Sequence, residues 1–175
     1  MSQVLTTNSS EPVLPGKEVT MSELSRVVKN ALASEYRERA AELHQWADPL
    51  DEEQFWMNPY EYGNSVGHLV LHLTGNLSYY IGAQIAGTGY VRHRDLEFTE
   101  TRRPSKAQAL RKLDEAIAMV AATIEEQSEK DWTLPYTGER EPESKDRLTI
   151  FLRCAVHFYS HVGQISYLSR ELRKK

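Results

Sequence analysis

The stretch CAVHFYSHVGQI, residues 154–165, places two histidines four positions apart inside a strongly apolar segment. Residues four apart lie one above the other on the same face of an α-helix. At about 100° per residue, His161 lies on the face that also carries Phe158 and Ile165. His157 lies at the margin of this face. Two inward imidazoles need partners for their nitrogens, and a shared metal ion satisfies both. The stretch therefore predicts a helix that supplies two ligands of a metal site.

A second pair with the same spacing, His68 and His72, lies in GHLVLHL, residues 67–73. The same arithmetic puts His72 near the core-facing side of a helix and turns His68 about 40° further towards solvent. We therefore predict His72 as the third ligand and His68 as a supporting group at the rim. Three histidines from two helices leave a coordination position open for water or substrate, whereas structural zinc sites are usually closed by four protein ligands.

Cys154 is the only cysteine, so it forms no disulfide within the chain. It lies on the His161 face and is the one candidate for a fourth ligand. Free cysteines are more often small core residues, and this interpretation is favoured. His44 and His93 are expected to have surface or capping roles.

Apolar residues recur at helical spacing in four segments, at residues 21–46, 65–86, 106–129 and 144–173. Thr20 with Glu23 and Ser105 with Gln108 fit capping boxes before the first and third segments. The pattern predicts an all-α protein, a four-helix bundle. Connections of about 15–20 residues are long for adjacent helices, which indicates that some of them cross an end of the bundle.

The second long connection contains YVRHRDLEF, residues 90–98, and is too charged to be predicted as core. Its arginines and aspartate are expected to pair with each other or with nearby backbone, which adds little stability. Trp56, in the first connection, is expected to seal the end of the bundle rather than stack on a ligand, because buried aromatic residues mostly provide packing energy.

The length of 175 residues fits one domain, and we place it at residues 19–175 after a flexible N-terminal arm, residues 1–18. A net charge of -4 argues against nucleic acid as a partner. The chain has no apolar run that could span a bilayer, so no membrane association is expected. A single cysteine suits a reducing compartment, which predicts a cytoplasmic location.

Three segments together resemble the DinB-like (YfiT-type) metalloprotein superfamily. They are NSVGHLVLHLTGN at residues 64–76, RHRDLEF at 92–98 and HFYSHVGQI at 157–165. The chain is most similar to a bacterial branch with HLxGN, RxRDxEF and HxxxHxGQI segments. The resemblance extends from the first predicted helix to the C-terminus.

This resemblance implies an up-up-down-down four-helix bundle, often a homodimer. It also implies a divalent metal, nickel or zinc, bound by His72, His157 and His161, in agreement with the helical phases. Some relatives transfer low-molecular-weight thiols such as bacillithiol or mycothiol, or act in glutathione-linked isomerisation. No role follows for the charged residues of the second connection, Arg92, Arg94, Asp95 and Glu97.

Two functions are compatible with these observations. In the first, the chain is a metal-dependent S-transferase or hydrolase that activates a thiol or a water molecule as the nucleophile. Its partner is then a small-molecule thiol or electrophile. Asn76 and Gln164 would then orient ligands or substrate. In the second, the metal, or only a cluster of hydrogen-bonded histidines, stabilises a non-catalytic module that dimerises or binds another protein. Fold alone does not decide between them.

Overall fold

The computed structural model describes residues 22–99, 101, 103–138 and 143–174. Within these ranges the chain forms six α-helices, namely α1 (Glu23–Ala47), α2 (Glu52–Trp56), α3 (Val66–Leu77), α4 (Leu96–Thr99), α5 (Lys106–Glu126) and α6 (Arg147–Leu172). A π-helical segment, Ser78–Ala83, continues α3. The predicted all-α bundle is confirmed, and the predicted arm at residues 1–18 lies outside the described residues. None of the described helices combines the length and hydropathy that a bilayer crossing requires.

Helix α1 packs between α5 and α6 and runs in the opposite direction to α5. Near the start of α1, Lys29 Nζ donates a hydrogen bond to the carbonyl oxygen of Glu125, near the end of α5. Near the end of α1, His44 Nε2 lies 2.8 Å from a carboxylate oxygen of Asp114, in the first half of α5. The two contacts, made in opposite order along the two helices, show that α1 and α5 are antiparallel.

Helix α6 runs parallel to α1. In the middle of α1, the hydroxyl of Tyr36 donates to the carbonyl oxygen of Phe151 over 2.7 Å. Near the end of α1, the carbonyl oxygen of Trp46 accepts from the hydroxyl of Ser169 over 2.7 Å. Later residues of α1 therefore meet later residues of α6.

Helix α3 runs antiparallel to α6. Asn64, just before α3, shares a groove with Leu168, whereas Tyr80, beyond the end of α3, shares a cavity with Arg153. The four long helices therefore run up, down, down and up in chain order, which corrects the up-up-down-down order that the resemblance implied. The reason lies in the second connection. Its Glu97 meets His72 in the middle of α3, and Lys106, directly after it, donates to the carbonyl oxygen of Leu50, so that α5 begins at the same end of the bundle as α3.

The caps set the helix boundaries by local hydrogen bonds. Helix α1 begins after Ser22, whose hydroxyl accepts from the backbone N–H of Ser25, while the predicted cap Thr20 lies outside the described residues. Helix α5 begins with the predicted capping box of Ser105 and Gln108. Helix α6 begins after Asp146, a little later than predicted, because this carboxylate accepts from the N–H of the third helical residue.

The core fills the space between the four long helices and is closed at one end by Trp56. This indole is nearly buried, and its ring meets Phe55 edge-on. A Cβ atom on Gly67 would overlap the indole ring, so the glycine in α3 makes room for it. The packing role predicted for Trp56 is confirmed. Burial of each such large apolar side chain contributes about 1.5–3 kcal/mol.

Candidate metal centre

Helices α3 and α6 bring His72, His157 and His161 together. The Nε2 atoms of His72 and His157 are 3.0 Å apart, and the ring of His161 lies 5.0 Å from that of His72 and 4.5 Å from that of His157, between centroids. One ligand atom from each side chain lies within 4.8 Å of the others. Three neutral imidazole donors at such separations suit zinc, nickel, copper or iron. The structure thus assembles the three predicted ligands, and it fits a divalent ion.

The imidazoles of α6 are held in their neutral form. Burial, followed by the neighbouring His161 and His72, lowers the pKa of His157 to about 3. Burial also lowers the pKa of His161, although its hydrogen bond with Gln164 acts in the opposite direction. A neutral imidazole keeps a lone pair, which is the form that binds a metal.

Two hydrogen bonds assign the lone pairs that face the cluster. His72 Nδ1 lies 2.8 Å from Glu97 Oε2, and His161 Nδ1 lies 2.8 Å from Gln164 Oε1. Because both oxygens are acceptors, each Nδ1 donates a proton. In the neutral form of each ring the lone pair is then on Nε2, which is the tautomer that ligation requires.

Glu97 holds His72 from behind and is held in turn by Arg92. Its two carboxylate oxygens accept from Arg92 Nε over 2.7 Å and from Arg92 Nη2 over 2.9 Å. Burial raises the pKa of Glu97, but hydrogen bonds from His72 and Arg92 outweigh it and lower that pKa overall. The carboxylate is therefore ionised at neutral pH, and a carboxylate behind a ligating histidine fixes its orientation and raises its basicity.

This arrangement corrects the prediction that the charged connection, residues 90–98, stays outside the core. The side chains of Arg92 and Glu97 are only 3% and 7% exposed. The ring of Phe98 lies 5.0 Å from that of His72, between centroids. The reason is that the two opposite charges neutralise each other and form hydrogen bonds with each other, and these contacts offset the desolvation cost of burying them. The RHRDLEF motif was the available signal, although its spacing alone predicts no contact with α3.

The glycine of the HLTGN motif permits the approach of Glu97. A Cβ atom on Gly75 would overlap the carboxylate oxygen Oε1 of Glu97. Gly75 follows His72 by three residues, so it lies on the same side of α3 and leaves the space that the carboxylate fills. Gly75, Glu97 and His72 therefore form one structural unit.

The predicted supporting residues divide into two groups. Gln164 contacts His161 as described, and Asn76 lines a cavity together with His72. Asn76 is 3% exposed, and its Oδ1 atom has no hydrogen-bond partner among the described residues. His68 is not brought to the cluster, because its Nδ1 lies 2.9 Å from the hydroxyl of Ser65 and its ring meets that of Trp56 edge-on.

The remaining candidates lie outside the cluster. Cys154 is completely buried in the core and is not among the three side chains that converge, in agreement with its interpretation as a small core residue. His44 lies between Asp48 and Asp114, where it joins the end of α1 to α5. Hydrogen bonds with Asp114 and Asp48 outweigh burial and raise the pKa of His44.

Comparison with known proteins adds a family. No curated protein that was compared with the chain matches it. A family model described as the DinB superfamily matches residues 35–165, well over half of the 175 residues. The matched range includes the three converging histidines and Glu97. The chain therefore belongs to the DinB superfamily.

Proposed function

We propose that this protein is a divalent-metal-dependent enzyme, an S-transferase or hydrolase that activates a small-molecule thiol or a water molecule at His72, His157 and His161. The observation that carries the proposal is that three imidazoles converge, two of them at the wall of a cavity of about 380 Å³, without a fourth protein ligand among the described residues. An open position of this kind is typical of catalytic sites, whereas structural sites are closed.

A nickel or zinc ion bound to the three histidines would act as a Lewis acid and lower the pKa of a coordinated thiol or water. The chain's own residues prepare the position. Glu97 keeps the proton of His72 on Nδ1, and Gln164 does the same for His161. The unpartnered Oδ1 of Asn76 is a buried acceptor beside the cavity, suited to accept a hydrogen bond from the S–H or O–H group of the bound nucleophile and so to orient it.

The experiment compares matched variants of the two histidine pairs. The purified protein is loaded with zinc or nickel and tested for conjugation of several thiols to an aryl halide and for hydrolysis of activated esters. We expect turnover by the wild type and by His68→Ala, and none by His161→Ala. If the wild type turns over none of the substrates faster than His161→Ala does, the enzyme proposal is wrong.

A second candidate function is a non-catalytic module that forms a homodimer. It is favoured by an apolar groove between α1 and α6, which is lined by Val28 of α1 and by the exposed side chains of Leu152, Val156 and Tyr159 of α6. Exposed apolar patches of this kind mark protein interfaces, and a second copy of the chain could cover this one. If Val156→Asp converts a dimer to a monomer and the metal-loaded protein shows no turnover, this candidate replaces the enzyme. A cytoplasmic location is part of both proposals.

A further inference from the structure

The cavity beside His72 and His157 has a cationic wall. It is lined by seven residues, of which three are arginines, Arg92, Arg94 and Arg153. None of the described residues that line it is acidic. A water-filled concavity with one sign of charge attracts ligands of the opposite sign, because its low-dielectric walls concentrate the field.

The three arginines have different tasks. Arg92 is neutralised by Glu97 and belongs to the support of His72. Arg94 is exposed, and its guanidinium lies 5.6 Å from the ring centroid of Phe98, a contact that positions the group without neutralising its charge. Arg153 lies on α6, one turn before His157. It lines the cavity beside His157.

A bound metal would make the cavity more positive. The three imidazoles are neutral donors and bring no negative charge to balance a divalent ion, and Glu97 is already balanced by Arg92. By comparison, a site with carboxylate or thiolate ligands cancels part of the metal's charge. An anionic substrate would restore the balance and would be held close to the ion.

We propose that the substrate of this site carries an anionic group, a carboxylate or a phosphate, which binds Arg94 at the cavity wall while its thiol or hydroxyl faces the three histidines. This inference rests on the proposed function and names its substrate class. Guanidinium groups bind carboxylates and phosphates through paired, charge-assisted hydrogen bonds. A volume of about 380 Å³ suits a small molecule rather than a polymer.

The test measures thiol binding to the cobalt(II)-loaded protein from its thiolate-to-cobalt absorption, using 3-mercaptopropionate and neutral 2-mercaptoethanol. In Arg94→Gln, we expect the Kd of 3-mercaptopropionate to rise about tenfold, and that of 2-mercaptoethanol to change less than about twofold. Arg111→Gln, an exposed arginine on α5 beside Glu115, should change neither. The comparison between variants removes differences in thiol acidity and in chelation between the two probes.

The outcomes separate the two proposals. If both thiols bind cobalt and Arg94→Gln affects them equally, the anionic-group proposal is wrong and the proposed function stands. If neither thiol binds cobalt, thiol activation is wrong. The anion site is then tested separately by titrating the metal-free protein with methylphosphonate and following the NMR signals of the arginine side-chain N–H groups. Saturable binding that Arg94→Gln weakens would support the site, and no binding would overturn it. Arg94 is exposed, so this variant should fold, and its melting temperature verifies that.

Discussion

The two HxxxH pairs have the same spacing and different fates. On α6, His157 and His161 both reach the cluster, whereas on α3 only His72 does. The four-residue spacing places two rings on one side of a helix, but it does not decide which nitrogen faces which neighbour. What differs between the pairs is the neighbour that meets each ring.

The neighbour behind each ring explains this difference. Glu97 holds Nδ1 of His72 and turns its Nε2 towards α6, and Gln164 does the same for His161 from the next turn of its own helix. His68 lies at the first turn of α3, where the capping hydroxyl of Ser65 contacts its Nδ1 and the indole of Trp56 packs against its ring. His68, near the start of α3, therefore contacts the cap and the indole, whereas His72, in the middle of the helix, reaches the cluster.

The largest effect that tests this comparison is the removal of one histidine from each pair. His161→Ala removes one of three donors, so we expect metal affinity to fall more than about 100-fold, beyond the range for supporting residues. His68→Ala should change it less than about threefold, because the ring makes no contact with the cluster. Zinc or cobalt affinity is measured by competition with a chromophoric chelator. Equal losses in both variants would contradict the distinction between the pairs.

Glu97→Gln should have the next largest effect. The amide oxygen can still accept one hydrogen bond from His72, but the ion pair with Arg92 is lost, which leaves the guanidinium of Arg92 as a buried unpaired charge. We expect metal affinity to fall about 10–100-fold, with a lower melting temperature. Asp95→Asn, a matched change in the same motif at an exposed residue, should leave both close to wild type. The same competition assay and thermal melts measure these effects, and an unchanged affinity in Glu97→Gln would show that the carboxylate does not support the ligand.

Glycine substitutions sharpen the comparison between the two helices. The Cβ of Gly75→Ala would overlap the carboxylate of Glu97, so the variant should displace Glu97 from His72 and lower metal affinity about tenfold. Gly163 lies between the ligand His161 and Gln164 on α6, and nothing lies within 4 Å of its Cβ position. Gly163→Ala should instead stabilise the protein by about 0.5–1 kcal/mol, because alanine is the better helix former. Chemical denaturation and metal competition distinguish the two outcomes.

The last comparison between the pairs concerns the pH dependence of the metal-free protein. The pKa of His157 is about 3 in the folded chain against 6.5 for an ordinary histidine, so below pH 6.5 the unfolded chain binds more protons. The contribution of the neutral His157 to the free energy of unfolding is therefore fully present above pH 6.5 and is lost as the pH falls towards 3. His157→Gln should flatten this slope more than His68→Gln. The pKa of His68 is also lowered, by burial and then by Arg103, but its shift is smaller than that of His157. Denaturation curves at several pH values measure the slope, and equal slopes in both variants would count against the buried, neutral state of His157.

Much of this molecule follows from local sequence. The four long helices were predictable because their apolar residues recur with the helical period, and Ser105 with Gln108 marks one start by hydrogen bonds between close neighbours. His72 was distinguished from His68 by angular position, a property of one helix. These features depend on residues within a few positions of each other, and for this reason a single sequence contains them.

The sequence by itself determined the all-α composition, the approximate helix positions and the three histidines that converge. Only the tertiary structure decided the direction of the helices, the capture of His68 by Ser65 and Trp56, and the burial of Arg92 with Glu97 behind His72. Glu97 is 25 positions from His72, and no local rule relates them. The connection meets α3 because it returns along the bundle, and its charges can be buried because each one finds a partner there.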